Sequence, residues 1–318
     1  MIFHMNYIMY IFKLIKILQI IQAENLDNCV KIFVIESHQD IGKIFVLEEY
    51  NEDGNLCNFI EQTINNFNID LIIKCLIDII KGLLQLSKYK YMHRDIKPQN
   101  IVFDGTKFKL IDFETSKCYG QDLTIYQSCI GTKTCIAPEI QLQLQYSSKC
   151  DIWSVGCVLY YILYKQFPFQ NYDRGQILKY YQRNEMLKLP SNLNKELNDL
   201  LQQMLKPREI DRISINVLYF QLKMIKLLIK LKINDPEDNL VSFIDRIKFI
   251  IQSELDQDIC KKIYTCFKAV LNQKVNSKNE NYKTKQSLKI AVQEIIREFE
   301  NEKIYLDLMK LIKQQIQE

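Results

Sequence analysis

No two of the ten cysteines stand at the C-x-x-C spacing of zinc and redox sites, and the cysteines are scattered along 318 residues. This absence argues against both kinds of site and against a disulfide framework. The sequence also lacks an excess of one charge, because 42 Lys and Arg residues face 38 Asp and Glu residues, a net charge of +4. Such a balance gives no reason to expect a surface for nucleic acid or an anionic membrane. We expect reduced, mostly buried thiols, and neither nucleic acid nor membrane as a partner.

A long uninterrupted hydrophobic run is absent as well. The most apolar stretch is at the N-terminus, where Lys13 and Lys16 interrupt it, no basic region precedes it and no small-residue cleavage site follows it. Apolar residues recur there at helical spacing: Ile11, Leu14, Ile15, Leu18 and Ile21. The pattern predicts an amphipathic helix over the first 22 or so residues that lies against another part of the chain. We expect a soluble intracellular protein with a cytoplasmic location.

The composition is that of an ordinary folded protein. Hydrophobic residues make up 47% and charged residues 25%, and the length suggests two domains or one large domain with an appendage. After Phe220 glycines and aromatic residues become fewer, and Lys, Gln, Asn and Glu alternate with Ile and Leu. The segment NDPEDN, residues 234–239, offers turn and helix-start residues. We place a boundary between 222 and 235, which separates a first domain, 1–222, from an extension, 236–318.

The extension carries apolar residues at helical spacing. They are Leu240, Phe243, Ile244, Ile247, Ile250 and Ile251 in one element, and Ile295, Phe299, Ile304, Leu308 and Ile312 in a later one. No EF-hand loop occurs there, which disfavours calcium binding. The pattern predicts a small helical bundle, and the alternative is a surface for a regulatory partner.

Within the first domain, strands and helices alternate. The runs VKIFVIES and KIFVLEEY are β-branched and aromatic and are joined by HQDIG, which predicts an antiparallel hairpin. Apolar residues return at helical period between Asn55 and about Lys90, and strand-like pieces follow at NIVF and KFKLID. The segment CDIWSVGCVLYYILY is apolar nearly all round, which indicates a helix buried inside a large domain.

The strongest motif is His93-Arg94-Asp95-Ile96-Lys97-Pro98-Gln99-Asn100, which matches the pattern H-R-D-L-x-x-x-N with Ile for Leu. Further matches follow in order: Asp112-Phe113, Gly131-Thr132, Ala137-Pro138-Glu139, DIWSVGC and Asp211-Arg212. The chain therefore resembles the eukaryotic protein kinases over roughly residues 10 to 222. The resemblance implies an α+β fold of two lobes, here with a truncated small β lobe, a large helical lobe and the α-helical C-terminal extension.

The resemblance also implies a chemistry. Phosphoryl transfer needs in-line positioning and neutralisation of negative charge rather than covalent help from the protein. In this family pattern Asp95 accepts or orients the proton of the substrate hydroxyl and Lys97 reaches the γ-phosphate of ATP. Asn100 and Asp112 hold Mg²⁺ against the phosphates. Glu114 departs from the pattern, because the family has glycine after Asp-Phe, and this puts the tuning of the metal site in question.

The substrate class and its regulation follow from neighbouring residues. Lys97 together with Thr132 resembles the serine/threonine branch, so protein Ser/Thr hydroxyls are the expected acceptors. Arg94 resembles the arginine that pairs with a phosphate on the activation segment, and Ser128 is the best placed residue to carry that phosphate. Cys135 stands where an aromatic residue usually precedes Ala-Pro-Glu, which alters the pocket for the residue after the phosphoacceptor.

Other matched positions are architectural or lie in the hinge. Glu139 and Arg212 resemble the buried ion pair that ties the activation segment to the helical lobe, and Asp151 resembles the helix-start aspartate that caps the catalytic-loop backbone. In the hinge, the backbone carbonyl of Glu49 and the backbone amide of Asn51 would receive adenine. Glu48 then occupies the gatekeeper position, unless the strand register is off by one.

A glycine-rich loop G-x-G-x-x-G, a strand lysine in a V-A-I-K context and a mid-helix glutamate are expected before the hairpin, and none is found. The first glycine is Gly42, in the hairpin, and the first glutamate is Glu24. Without the first strands of the lobe, Phe33 and Phe45 should be poorly covered. Two interpretations stay open: an active kinase whose N-terminal part is missing from this sequence, or a pseudokinase or scaffold that binds partners without transferring phosphate.

Overall fold

The structure is a computed structural model, and it describes residues 2–38, 43–63, 68–119, 134–187, 189 and 195–230. The chain divides into two compact units, Met1–Tyr219 and Phe220–Glu318. Most of the second unit, including the predicted helical extension 236–318, lies outside the described residues. The first unit combines helices with three small antiparallel sheets of two strands each.

The N-terminal segment forms helix α1, Ile2–Glu24, as its apolar spacing predicts. Ile17, Leu18 and Ile21 are buried on one side of the helix. The helix packs on strand β1, Ile32–His38, and the side-chain amide of Gln22 donates a hydrogen bond of 2.8 Å to the carbonyl of Phe33. The predicted amphipathic helix against another element is thus confirmed.

The predicted hairpin consists of β1 and β2, Lys43–Glu48, paired antiparallel with Val34 opposite Leu47 and a bulge at the start of β1. Phe33 and Phe45 are 47% and 51% exposed, in agreement with the expectation that they are poorly covered. The segment before β1 pairs with a later strand: the backbone amide of Val30 donates to the carbonyl of Leu110, and the amide of Leu110 donates to the carbonyl of Asn28. These bonds fix the start of the hairpin against the elements that follow.

The next elements are α2, Leu56–Gln62, and α3, Ile69–Lys88, each begun by an asparagine whose side chain accepts backbone N–H bonds. Strand β3, Tyr91–Met92, pairs with β6, Lys117–Cys118, and β4, Ile101–Phe103, pairs with β5, Phe108–Leu110. A 3₁₀ turn at Pro98–Asn100 precedes β4. The predicted strands at NIVF and KFKLID are therefore confirmed, and residues 93–100 connect β3 to β4.

The remaining elements are helical. They are α4, Pro138–Gln141; α5, Lys149–Tyr164; α6, Arg174–Arg183; α7, Lys195–Met204; a 3₁₀ turn at Glu209–Asp211; and α8, Ile215–Lys230. Helix α5 is buried over most of its length, as predicted. A Cβ atom on Gly156 would lie 2.8 Å from a methyl carbon of Leu205, so glycine lets α5 approach the end of α7 closely. Among the described helices, none is both long and apolar enough to cross a bilayer.

The cysteines follow the expected pattern in the described part of the chain. Five of them are buried, Cys29, Cys75, Cys135, Cys150 and Cys157, while Cys57 and Cys118 are half-buried, and none of these seven forms a disulfide. Burial raises the pKa of the Cys29 thiol well above its ordinary value. Cys29 is therefore a packing residue rather than a reactive thiol.

Candidate active site

The backbone of the catalytic loop is held by one carboxylate from α5. Asp151 is buried, and its two carboxylate oxygens accept the backbone N–H groups of His93 and Arg94, each at 2.8 Å. Burial raises the pKa of Asp151 although these hydrogen bonds favour its charged form. Arg94 has a φ of 69°, in the left-handed region. The two bonds from Asp151 hold this strained turn in place.

His93 supports the same turn from inside. Its Nδ1 accepts the backbone N–H of Asp95 at 3.3 Å, so the proton is on Nε2, which donates to the carbonyl of Ile111 at 3.1 Å. The ring lies against Phe113 with 5.0 Å between ring centroids. Burial lowers the pKa of His93, which keeps the imidazole neutral. This neutral ring ties the loop before Asp95 to the segment before Asp112.

Asp95 is buried and has two donors on one carboxylate oxygen. Lys97 Nζ lies 2.7 Å from Asp95 Oδ2, and Asn100 Nδ2 lies 2.8 Å from the same atom and 3.0 Å from the Asp95 carbonyl. The 3₁₀ turn at Pro98–Asn100 bends the chain so that Lys97 and Asn100 face Asp95 together. The structure thus brings together three of the four residues expected to be catalytic.

Asp112, the fourth, stands beside them in an exposed position. Its Oδ2 is 3.5 Å from Asn100 Nδ2, and its φ of 62° is left-handed. Glu114, which stands where the family pattern has glycine, does not have a left-handed φ, so its backbone conformation suits a residue with a side chain. The left-handed conformation is instead at Asp112. The N–H of Glu114 points toward Asp112 Oδ1 at 3.4 Å. The Glu114 substitution therefore fits this backbone.

The donor set suits a hard cation. The amide nitrogen of Asn100 donates to Asp95 Oδ2 and lies 3.5 Å from Asp112 Oδ2, so the Asn100 amide stands next to the Asp112 carboxylate. Partial burial raises the pKa of Glu48, and the negative charge of Asp112 adds to that rise. A cation at Asp112 would relieve this repulsion. Within the described residues no three His, Cys, Asp or Glu side chains converge as metal ligands. Mg²⁺ is usually held by one or two carboxylates and by substrate phosphates.

Arg94 is occupied by neutral partners. Its Nε donates to the carbonyl of Thr115 at 2.6 Å, and its Nη1 donates to the hydroxyl of Tyr146 at 2.9 Å. Ser128 and Thr132, the predicted activation-segment residues, lie outside the described residues. The expected pairing of Arg94 with a phosphate on Ser128 stays a prediction.

The hinge contains an interaction that the sequence pattern did not indicate. The carboxylate of Glu49 binds Lys109 Nζ at 2.7 and 2.8 Å, and Lys109 also binds Asp104 Oδ2 at 2.9 Å. Glu49 and Asn51 were expected to act only through their backbone groups. A lysine in a short apolar strand carries no motif, and an i to i+60 ion pair leaves no local signal, so Lys109 and Asp104 could not be found from the sequence.

Glu139 and Arg212 form a fully buried bidentate pair. Arg212 Nη1 lies 2.7 Å from Glu139 Oε1, and Nη2 lies 2.9 Å from Oε2. The guanidinium also donates to the carbonyls of Lys149, Lys206 and Pro207 and lies over the ring of Trp153. The pair joins α4, which follows the activation segment, to the turn before α8.

A family model for the protein kinase domain matches residues 9–221, about two thirds of the chain. Human serine/threonine-protein kinase Nek5 is 33% identical over 152 residues, which are 47% of this chain and 22% of that protein. Mouse serine/threonine-protein kinase Nek3 is 34% identical over 158 residues, 49% of this chain and 31% of that protein. Serine/threonine-protein kinase unc-51 of Caenorhabditis elegans is 28% identical over 215 residues, 64% of this chain and 24% of that protein.

These matches agree with the geometry of the site. The chain belongs to the protein kinase family, and the structure brings Asp95, Lys97, Asn100 and Asp112 together. The aligned segments cover about a quarter of the length of these relatives.

Proposed function

We propose that this chain is a serine/threonine protein kinase that transfers the γ-phosphate of ATP to Ser or Thr hydroxyls of proteins. The observation that carries the proposal is the contact of both Lys97 and Asn100 with the same carboxylate oxygen of Asp95. A loop serving only as a scaffold has no use for a buried carboxylate held in this way. The names of the relatives, all serine/threonine-protein kinases, support the acceptor class.

In the mechanism that follows, Asp95 accepts or orients the proton of the acceptor hydroxyl. Lys97 lies close enough to Asp95 to neutralise its charge when no ATP is bound. When ATP is bound, the ammonium group of Lys97 turns toward the γ-phosphate. His93 and Asp151 take no part in the proton transfer, since they hold the loop backbone that positions Asp95.

ATP and Mg²⁺ fit the residues around this centre. The backbone carbonyl of Glu49 and the amide of Asn51 are proposed to bind adenine, and Asn100 and Asp112 are proposed to hold Mg²⁺. When bound, Mg²⁺ supplies positive charge against the phosphate oxygens. The described site contains no other residue assigned to the phosphates besides Lys97, because the sequence has no G-x-G-x-x-G and no V-A-I-K motif.

Two further assignments belong to the same proposal. Phosphate on Ser128 would compete with Thr115 and Tyr146 for Arg94, because a phosphate brings about −1.5 to −2 charge to the guanidinium. The kinase domain is proposed to span 1–222, and the helical extension 236–318 is proposed to bind a regulatory partner or to pack as a small bundle.

The test is transfer of labelled phosphate to Ser/Thr peptides by the unchanged chain and by Asp95→Asn. A proton acceptor in this role contributes about 10² to 10⁴-fold, so the variant should lose most of the transfer while keeping its fold. Asp70→Asn, an exposed change in the first turn of α3, is the matched control and should be neutral. Equal turnover of Asp95→Asn and the unchanged chain would refute the assignment.

A further inference from the structure

We infer that Lys109 is a positioning residue for the adenine-binding hinge, an assignment that rests on the proposed nucleotide site. Lys109 is on β5, and only 8% of it is exposed. Its ammonium group is bound by both carboxylate oxygens of Glu49, at 2.7 and 2.8 Å, and by Asp104 Oδ2 at 2.9 Å. Since an ammonium group has three donors, this one is saturated by the hinge on one side and the β4–β5 turn on the other.

Asp104, the second carboxylate that binds Lys109, is held in place by its own hydrogen bonds. Asp104 Oδ1 accepts the backbone N–H groups of Thr106 and Lys107 and the hydroxyl of Thr106, all between 2.7 and 2.8 Å. Burial opposes the shift, but these bonds and the bond from Lys109 hold the pKa of Asp104 well below its ordinary value. Lys109 therefore connects the hinge to a turn whose geometry is already set by its own hydrogen bonds.

Almost every polar group of Glu49 already has a hydrogen-bond or ion-pair partner. Its Oε1 also accepts the backbone N–H of Lys31 at 2.9 Å, and its own backbone N–H donates to the carbonyl of Lys31 at 2.9 Å. Its backbone carbonyl has only the side-chain amide of Asn51, at 3.5 Å, as a contact in the described part of the chain. That distance is at the limit of a hydrogen bond. The side chain is thus fixed and the carbonyl is presented, which is the arrangement a hinge acceptor for adenine needs.

A neighbouring lysine provides the contrast. Lys107 lies two residues before Lys109 and pairs with Asp27 at 2.9 Å, but this pair is exposed and does not include Glu49. Exposed pairs of this kind contribute about 0 to 1 kcal/mol. If these two ion pairs served only stability, loss of either lysine would lower the free energy of unfolding, and the two losses would differ only in size. If Lys109 positions the hinge, only its loss should change nucleotide binding.

The experiment measures the dissociation constant of adenosine by titration calorimetry. Adenosine has no phosphates, so its binding depends on the hinge and not on a phosphate cradle. The variants are Lys109→Met and the control Lys107→Met, each with its amide hydrogen exchange recorded. Side chains that act through a network without touching the ligand change coupling by about 0.5 to 2 kcal/mol, which is about two- to thirtyfold in affinity. We expect Lys109→Met to bind adenosine that much more weakly and to exchange faster at residues 49–51, and Lys107→Met to match the unchanged chain.

Lys109→Met leaves the carboxylates of Glu49 and Asp104 without their cation, so the double variant Lys109→Met, Glu49→Gln serves if the single variant does not fold. Adenosine binding equal to that of the unchanged chain in either folded variant would overturn the inference. Faster exchange spread evenly over the first unit, with binding reduced in proportion, would also overturn it, because that is the result of a purely structural role. Failure of the unchanged chain to bind adenosine would contradict the proposed nucleotide site itself, and this inference with it.

Discussion

At the scale of single residues, two carboxylates near the proposed nucleotide site have opposite surroundings. Asp95 faces the ammonium of Lys97 at 2.7 Å, and Asn100 donates to it as well. Glu48 is next to the negative charges of Asp112 and Glu49. Asp95 is therefore paired with a cation, whereas ionisation of Glu48 is opposed. At a gatekeeper position, a carboxyl that resists ionisation is easier to place beside an apolar adenine ring.

Glu48→Gln should stabilise the protein at neutral pH. Although the residue as a whole is exposed, partial burial of its carboxyl, with Asp112 and Glu49, raises the pKa of Glu48 above the ordinary 4.5. A carboxyl whose pKa is raised on folding contributes stability below the unfolded value, and this is lost as pH rises through the folded value. We expect the melting temperature of Glu48→Gln to exceed that of the unchanged chain at neutral pH and the difference to disappear below about pH 4.5.

The matched control for this measurement is Glu52→Gln, an exposed change four residues later. It should leave the melting temperature unchanged across the same pH range. A Glu48→Gln variant that is less stable than the unchanged chain at neutral pH would show that Glu48 is ionised and favourably bound.

At the scale of elements, helix α5 is the support for several segments of the site. Asp151 in its first turn holds the catalytic loop. The hydroxyl of Ser154, one turn further, donates to the carbonyl of Cys135 at 2.8 Å, and Lys149 donates to the carbonyl of Arg212 at 2.8 Å. Burial of the apolar surface of α5 thus fixes the positions of these polar groups. Leaving any of them without a hydrogen-bond partner would reduce the free energy of unfolding.

Arg212→Ala should strongly destabilise the protein, because it leaves the Glu139 carboxylate buried without its partner. Breaking one side of a buried pair costs about 3 to 5 kcal/mol. Chemical denaturation of Arg212→Ala, Glu139→Ala and the double variant gives the coupling energy. We expect the double variant to be more stable than the sum of the two single losses predicts.

The control pair is Arg183 with Glu185, 66% and 57% exposed and 3.4 Å apart. Arg183→Ala should change the free energy of unfolding by no more than about 1 kcal/mol. Strict additivity in the Glu139 and Arg212 cycle would mean that the contact contributes nothing beyond the two separate side chains.

At the scale of the whole molecule, the parts that could be predicted are those with local signals. The hairpin, helix α5 and the loop around Asp95 each follow from a period or a motif within about twenty residues. The role of Lys109 could not be predicted, because its partner Glu49 is sixty residues away and no local spacing links the two residues. The left-handed φ at Asp112 was not foreseen either, because sequence reasoning placed the conformational demand on Glu114. Long-range ion pairs and local strain are set by packing, which one sequence does not display.

The last prediction concerns how the chain as a whole binds nucleotide. The 318 residues contain no G-x-G-x-x-G and no V-A-I-K motif, so among the described residues only Lys97 and the cation proposed at Asn100 and Asp112 are assigned to the triphosphate. Mg²⁺ sheds its water reluctantly for one or two carboxylates, and Lys97 is already engaged by Asp95. We therefore expect ATP with Mg²⁺ to bind no more than about tenfold more tightly than adenosine, a difference of about 1.4 kcal/mol. Titration calorimetry with both ligands measures the ratio, and Mg²⁺ alone is the control that should give no heat of binding. An ATP affinity more than about a hundredfold above that of adenosine would contradict the prediction, because the described residues would then have to cradle the phosphates in a way that their present contacts do not suggest.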